Sequence, residues 1–170
     1  MDERRRRFEE LVLPHLDAAA NLARWLTRSD AAADDIVQDA MLRAFRSFDR
    51  FQGGSAKPWL LAIVRNCHVD TMNAKKRYTA LPEDHAETAC DPGPDPEAGT
   101  MRAEQSRGLA EAVARLPREF RETLILREME EMSYRDIAAV TGVPIGTVMS
   151  RLARARARLR ETWLARETAP

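Results

Sequence analysis

Between residues 145 and 160 the chain carries five arginines and no acid: Arg151, Arg154, Arg156, Arg158 and Arg160. A guanidinium fork matches a phosphate or the acceptor edge of guanine, so a row of such groups suits nucleic-acid recognition. Spacing decides whether the row is usable. Val148, Leu152, Ala155 and Leu159 recur at steps of four, three and four, which makes one apolar stripe on a helix. Arg151, Arg154 and Arg158 fall on other faces and are expected to reach phosphates or base edges, with Thr147 and Ser150 beside them. Other chemistry finds no support. No phosphate loop or nucleophile elbow occurs. Cys67 and Cys90 match no metal or redox spacing, and His15, His68 and His85 are scattered. Neither a metal nor a cofactor is expected, and no catalytic residue.

The arginine helix needs something to aim it. Ser133 suits an N-cap, with Asp136 three residues on completing a capping-box-like pair. Gly142 stands where a tight turn needs positive φ, and Pro144 suits the opening of the next helix. Helix, glycine turn and arginine-bearing helix over residues 133–159 predict a helix-turn-helix, whose second helix enters the major groove.

The rest of the chain is organised around this unit. With 44% hydrophobic and 32% charged residues and few aromatics, an all-α fold is predicted. No apolar run approaches the roughly 20 residues that span a bilayer, and the start, MDERRRRFEELVL, lacks a signal-peptide core. No membrane insertion is expected, and a cytoplasmic location is. The net charge is zero, which at first contradicts nucleic-acid binding. Its distribution removes the conflict: residues 79–105 hold seven acids against Arg102 alone, between two mildly basic halves. Affinity follows the local patch rather than the sum. Prolines at 82, 92, 94 and 96 mark the acidic stretch as a linker. The expected organisation is therefore a helical domain at 1–78, a flexible acidic linker at 79–103 and a helix-turn-helix domain at 104–170.

Within the first domain, Pro14 is expected to divide an initial helical stretch. Ser29 or Asp30 caps the next helix, with Ile36, Ala40, Leu42 and Phe45 on its buried side and Asp34, Asp35, Gln38, Asp39 and Arg43 on its polar side. A loop, DRFQGGSAKP, precedes a third helix from about Lys57 to Arg77, with Leu60, Val64 and Cys67 as its apolar track. Asn66, Asp70, Asn73 and Arg77 share another face, and Lys75, Lys76 and Arg77 close the helix with positive charge, which also suits its dipole.

Taken in series, DDIVQDAMLRAFRSFDRF, KPWLLAIVRNCHVDTMNAKKR, the acidic connector and LPREFRETLILREMEEMSYRDIAAVTGVPIGTVMSRLARARARL resemble a bacterial RNA polymerase sigma factor of the extracytoplasmic-function (ECF) subfamily. The likeness covers nearly the whole chain, in order. It implies that Asp35, Gln38, Asp39 and Arg43 dock on the β′ clamp helices of core RNA polymerase, with the β flap as a further contact. It implies that Trp59, Asn66, Asp70, Lys75, Lys76 and Arg77 open and read the minus-ten element, an extruded base needing edge partners, a wall to stack on and positive charge for its strand. Trp59 is equally a core residue at a helix start. Thr147, Ser150, Arg151, Arg154 and Arg158 would contact the minus-thirty-five element. Met149 departs from the family, which often has lysine there. Promoter DNA and an anti-sigma factor are the other implied partners, and the acidic connector would thread basic polymerase channels. Two further readings stay open at this point: a stand-alone helix-turn-helix regulator, and a sigma-mimicking adaptor that binds an anti-sigma protein.

Overall fold

A computed structural model describes residues 2–78 and 101–169, which form helices and turns without a strand. The connector's acidic and proline positions, and with them Cys90 and His85, lie outside the described residues. Eight α-helices are described: α1 Glu3–Val12, α2 Leu16–Thr27, α3 Asp30–Ser47, α4 Ala56–Tyr78, α5 Met101–Ala114, α6 Arg118–Glu128, α7 Tyr134–Thr141 and α8 Ile145–Glu167. Helix α5 takes in residues 101–103, which the sequence had assigned to the linker.

Local chemistry explains most boundaries. The Asp2 side chain accepts from the Arg4 amide to start α1, and Pro14 sits in a 3-10 turn, Leu13–His15, that separates α1 from α2. Ser29 Oγ accepts from the Ala32 amide, so Ser29 rather than Asp30 caps α3. Ser133 Oγ accepts from the Asp136 amide at 3.1 Å. Gly142 ends α7 at φ +71°, where a side chain would be strained. Helix α8 runs on to Glu167, and α5 packs along its far half. Gly108 lies at that contact, where a Cβ would meet the flexible end of the Arg166 side chain.

In the first body, α2, α3 and α4 pack together and α1 lies across them. The buried line of α3 is Ala33, Ile36, Ala40 and Ala44, mostly alanine, which lets its neighbours come close. Leu42, expected on that side, is instead 57% exposed. It stands two residues, about 200° of helical turn, from Ala40 and so faces the other way. Opposite the alanines, Leu60, Leu61, Val64 and Cys67 of α4 are fully buried.

The second body is built on α6. Six consecutive residues, from Arg121 to Leu126, are buried, so this helix is enclosed on every side. Each of its polar members has a hydrogen-bond partner. Arg121 donates to the carbonyls of Ala114 and Leu116 at the end of α5, and Thr123 to Glu119 O. Glu122 finds its partner in the other body. Helix α7 packs on α4 and α6 on α2, and the buried apolar side chains of both bodies form one continuous core.

Candidate nucleic-acid interface

Helix α8 carries Val148, Leu152 and Ala155 inward, all essentially without exposure. Thr147, Ser150, Arg151, Arg154 and Arg158 stand at relative positions 0, 3, 4, 7 and 11, one stripe along the outer flank. Its members are not equally available. Arg154 and Ser150 are exposed, with Ser150 Oγ donating to Thr147 O at 3.0 Å. The Arg151 side chain is only 17% exposed and lies 3.8 Å from Glu119, while Arg158 sits over the Phe120 ring at 5.0 Å. Two of the three arginines thus have a neighbour on α6, Glu119 for Arg151 and the Phe120 ring for Arg158, and Arg158 is nonetheless exposed. Arg156 pairs with Glu128 at 2.7 Å on the other flank. Gly146, Ala153 and Ala157 give the crest of the helix a low profile.

The entry to α7 is braced by a residue that periodicity alone does not single out. Arg127 lies 4.8 Å from the centre of the Tyr134 ring and donates to Met132 O at 2.8 Å, fixing the entry to α7.

On the first body, Asn66 is exposed on α4, and Lys75, Lys76 and Arg77 are exposed at its end. Asp70, also exposed, is engaged by an arginine of α3. Its Oδ2 lies 2.6 Å from Arg43 Nη1, and Arg43 Nη2 lies 2.9 Å from Asp39 Oδ2. Arg43 thus bridges α3 and α4, and its pKa is raised by the hydrogen bonds it donates to Asp70 and Asp39. Beneath this bridge, burial above all pushes the Cys67 thiol up to about 12, so it is protonated and unreactive.

Trp59 belongs to an aromatic cluster. Its ring is 5.1 Å from Phe51 and 6.3 Å from Phe48, and Phe48 in turn meets Phe8 edge-on at 5.3 Å. The half-buried indole therefore props the base of the loop at residues 52–55, the core side of the two roles open to it. In the loop, Gly53 and Gly54 both have positive φ. On α3, Asp35 and Gln38 are exposed and Asp39 is half-buried. Leu42 stands seven residues after Asp35 and four after Gln38, an apolar knob among these polar groups that the sequence reading missed. The signal was present in that spacing, but leucine argued for burial.

Comparison with known proteins agrees with this geometry. Residues 11–78 match the Sigma-70 region 2 family and residues 106–159 the Sigma-70, region 4 family. The ECF RNA polymerase sigma factor SigM of Mycobacterium tuberculosis is 35% identical over 89% of this chain and 74% of its own length. The chain belongs to the ECF RNA polymerase sigma factors.

The ECF sigma factor SigE of Mycolicibacterium smegmatis is likewise 35% identical, over 91% of this chain, which spans 60% of that relative's length. Among solved structures, the sigma factor RpoE of Bartonella quintana, in complex with the anti-sigma factor NepR, superposes with a TM-score of 0.74 at 31% identity, covering 92% of this chain and 96% of that one. In the present sigma factor, region 2 is the first body and region 4 the second. No helix among the described residues is long and apolar enough to cross a membrane.

Beside the shared apolar core, the contact between regions 2 and 4 holds buried ion pairs. Arg65 Nε lies 3.1 Å from both carboxylate oxygens of Glu122, whose side chain is 1% exposed. Burial raises the Glu122 pKa, and the Arg65 charge opposes that rise. Lys57 Nζ contacts Glu130 through its carboxylate at 3.1 Å and its carbonyl at 2.9 Å, and Asn21 Nδ2 donates to the same carboxylate at 2.9 Å. His68 is buried beside these pairs. Burial first, then the cations Arg118, Arg121, Lys75 and Arg65, holds it down to about 4, so it is neutral in ordinary buffers.

Proposed function

We propose that this sigma factor seats α3 on core RNA polymerase, opens and reads the minus-ten element with α4 and its preceding loop, and reads the minus-thirty-five element with α8. It performs no catalysis of its own and works in the cytoplasm, where the polymerase is. The observation that carries the reading is the presence of three separate exposed surfaces on one chain: the acidic face of α3 around Leu42, the Asn66 track ending in Lys75, Lys76 and Arg77, and the Thr147–Ser150–Arg154 stripe. A duplex regulator would need only the last. Asp35, Gln38, Asp39 and Leu42 form the docking face, while Arg43 and Asp70 set the angle between α3 and α4. Asn66 meets the displaced base, and Trp59 supports the loop that encloses it. Arg154 is the principal base or phosphate contact in the upstream groove, with Arg151 and Arg158 supporting from the same stripe. The β flap is the expected seat of the second body, and the acidic connector is assigned to the polymerase channel between them. An anti-sigma protein is proposed as the inhibitory partner, in keeping with the complex in which the Bartonella quintana relative was solved.

Run-off transcription with core polymerase tests this division of labour. Arg154→Ala is expected to weaken use of the upstream element by about 1–3 kcal/mol, roughly 5- to 150-fold, on closed and pre-melted templates alike. Asn66→Ala should instead lower initiation from duplex promoters and recover on a template whose minus-ten bubble is already open. Tight duplex binding by the purified protein without any initiation would return the assignment to a stand-alone regulator.

A further inference from the structure

The closed arrangement of the two bodies conflicts with the task just assigned. Elements centred near minus ten and minus thirty-five lie about 25 base pairs apart, roughly 85 Å of B-form duplex. A compact body of this size has a radius of gyration of only about 15 Å, hence a width of about 40 Å. The bodies must part before both elements are engaged. The contact between α4 and the second body is therefore one that function breaks.

Its chemistry indicates what the contact does while it lasts. Lys57, Leu61, Arg65, His68, Met72 and Lys76 follow one another along a single side of α4, roughly a quarter-turn from the Asn66 track. Lys57 and Arg65 are eight residues apart, about 12 Å along the axis. Both are engaged by carboxylates from the second body, and the Arg65–Glu122 contact puts two carboxylate oxygens on one guanidinium. Carboxylate and phosphate offer the same acceptors to such a donor. The pairs add little as permanent glue, since desolvation offsets much of a buried ion pair's attraction. They suit a contact that must open.

We infer that Glu122 and Glu130 occupy Lys57 and Arg65 in place of DNA phosphates, so that the closed molecule is a masked resting form. On separation these two cations join the strand-binding surface of α4. The inference rests on the assignment of α4 to promoter DNA and adds two phosphate contacts and a means of withholding them. Arg118 and Arg121 also face this region around His68 and depart with the second body, so separation leaves α4 with its own cations only.

Full-length protein carrying Glu122→Gln and Glu130→Gln together should bind a fluorescent, mixed-sequence single-stranded DNA oligonucleotide roughly tenfold more tightly than the parent chain. Its affinity should fall more steeply with salt, by about 1.4 in the slope of log K against log salt, the change for two added single-strand phosphate contacts. Adding Lys57→Ala and Arg65→Ala to that variant should remove both effects. If the double variant does not fold, Glu130→Gln alone carries the same expectation with a slope change of about 0.7. Unchanged affinity and slope would overturn the inference, as would a gain that survives loss of Lys57 and Arg65. Capture by core polymerase, measured in parallel, reports on α3; its failure would strike the docking assignment and leave the DNA result to judge the masking.

Discussion

Asp35→Arg is expected to weaken capture by core RNA polymerase by roughly one to two orders of magnitude while leaving the fold untouched. Asp35 is exposed on α3 and makes no ion pair among the described residues, so its replacement disturbs nothing internal. Surface changes of that kind shift stability by no more than about 0.5 kcal/mol. At an interface the same change removes an attraction and places a positive charge against whatever cation Asp35 had met, and such juxtapositions cost several kcal/mol. A loss of about 2–3 kcal/mol, or roughly 30- to 150-fold in Kd, is the expected size. Fluorescence anisotropy of labelled protein titrated with core enzyme reads it, with a thermal melt as the control. Wild-type affinity in the variant would remove this face of α3 from the docking surface. Asp39 is a poorer probe, because losing it also removes one of the two carboxylate partners of Arg43.

The second large effect lies in the interior. Leu152 is 1% exposed on the inward side of α8, between Val148 and Ala155, where α6, α7 and α8 meet. Leu152→Ala leaves a cavity that rigid neighbouring helices fill only in part, at a cost of about 2–5 kcal/mol. For a chain of this size that corresponds to a drop of roughly 5–15 °C in Tm. Circular dichroism at 222 nm follows the melt. Because the two bodies share one core, a single transition moving as a whole is expected; a split melt with only half the amplitude shifted would show that they unfold separately. DNA binding should fail with the fold, since the arginine stripe has no aim once α8 loses its seat.

Some of this architecture was legible in the sequence because short-range chemistry dictates it. The caps at Ser29 and Ser133 and the turn at Gly142 are decided by a few neighbouring atoms, and the apolar steps of α8 by helical period. Leu42 shows the limit of that reasoning. Its type argued for the interior, whereas its angle on the helix put it outside, and angle prevails once Ala33, Ile36, Ala40 and Ala44 fix which side packs. Arg151 shows another limit. Periodicity gives the stripe on which it lies but not the distance to Glu119 on a different helix. The burial of Arg121, Glu122 and Thr123 was invisible for the same reason. A run of polar residues reads as a solvated face until a second body supplies Arg65. The tertiary closure of the two halves was therefore the least legible feature, though the residues on both sides of it were in plain view.

The Arg43 bridge also carries a mechanical consequence. Asp39 lies on the face of α3 proposed for polymerase, and Asp70 stands one helical turn beyond Asn66, so one guanidinium spans from the proposed docking face to the neighbourhood of the proposed base contact. Any partner group that draws Asp39 toward itself changes how firmly Arg43 holds Asp70, and with it the local negative field around Asn66. Under the proposed assignment, mounting the protein on its enzyme and tuning the surroundings of the displaced base are strokes of the same lever.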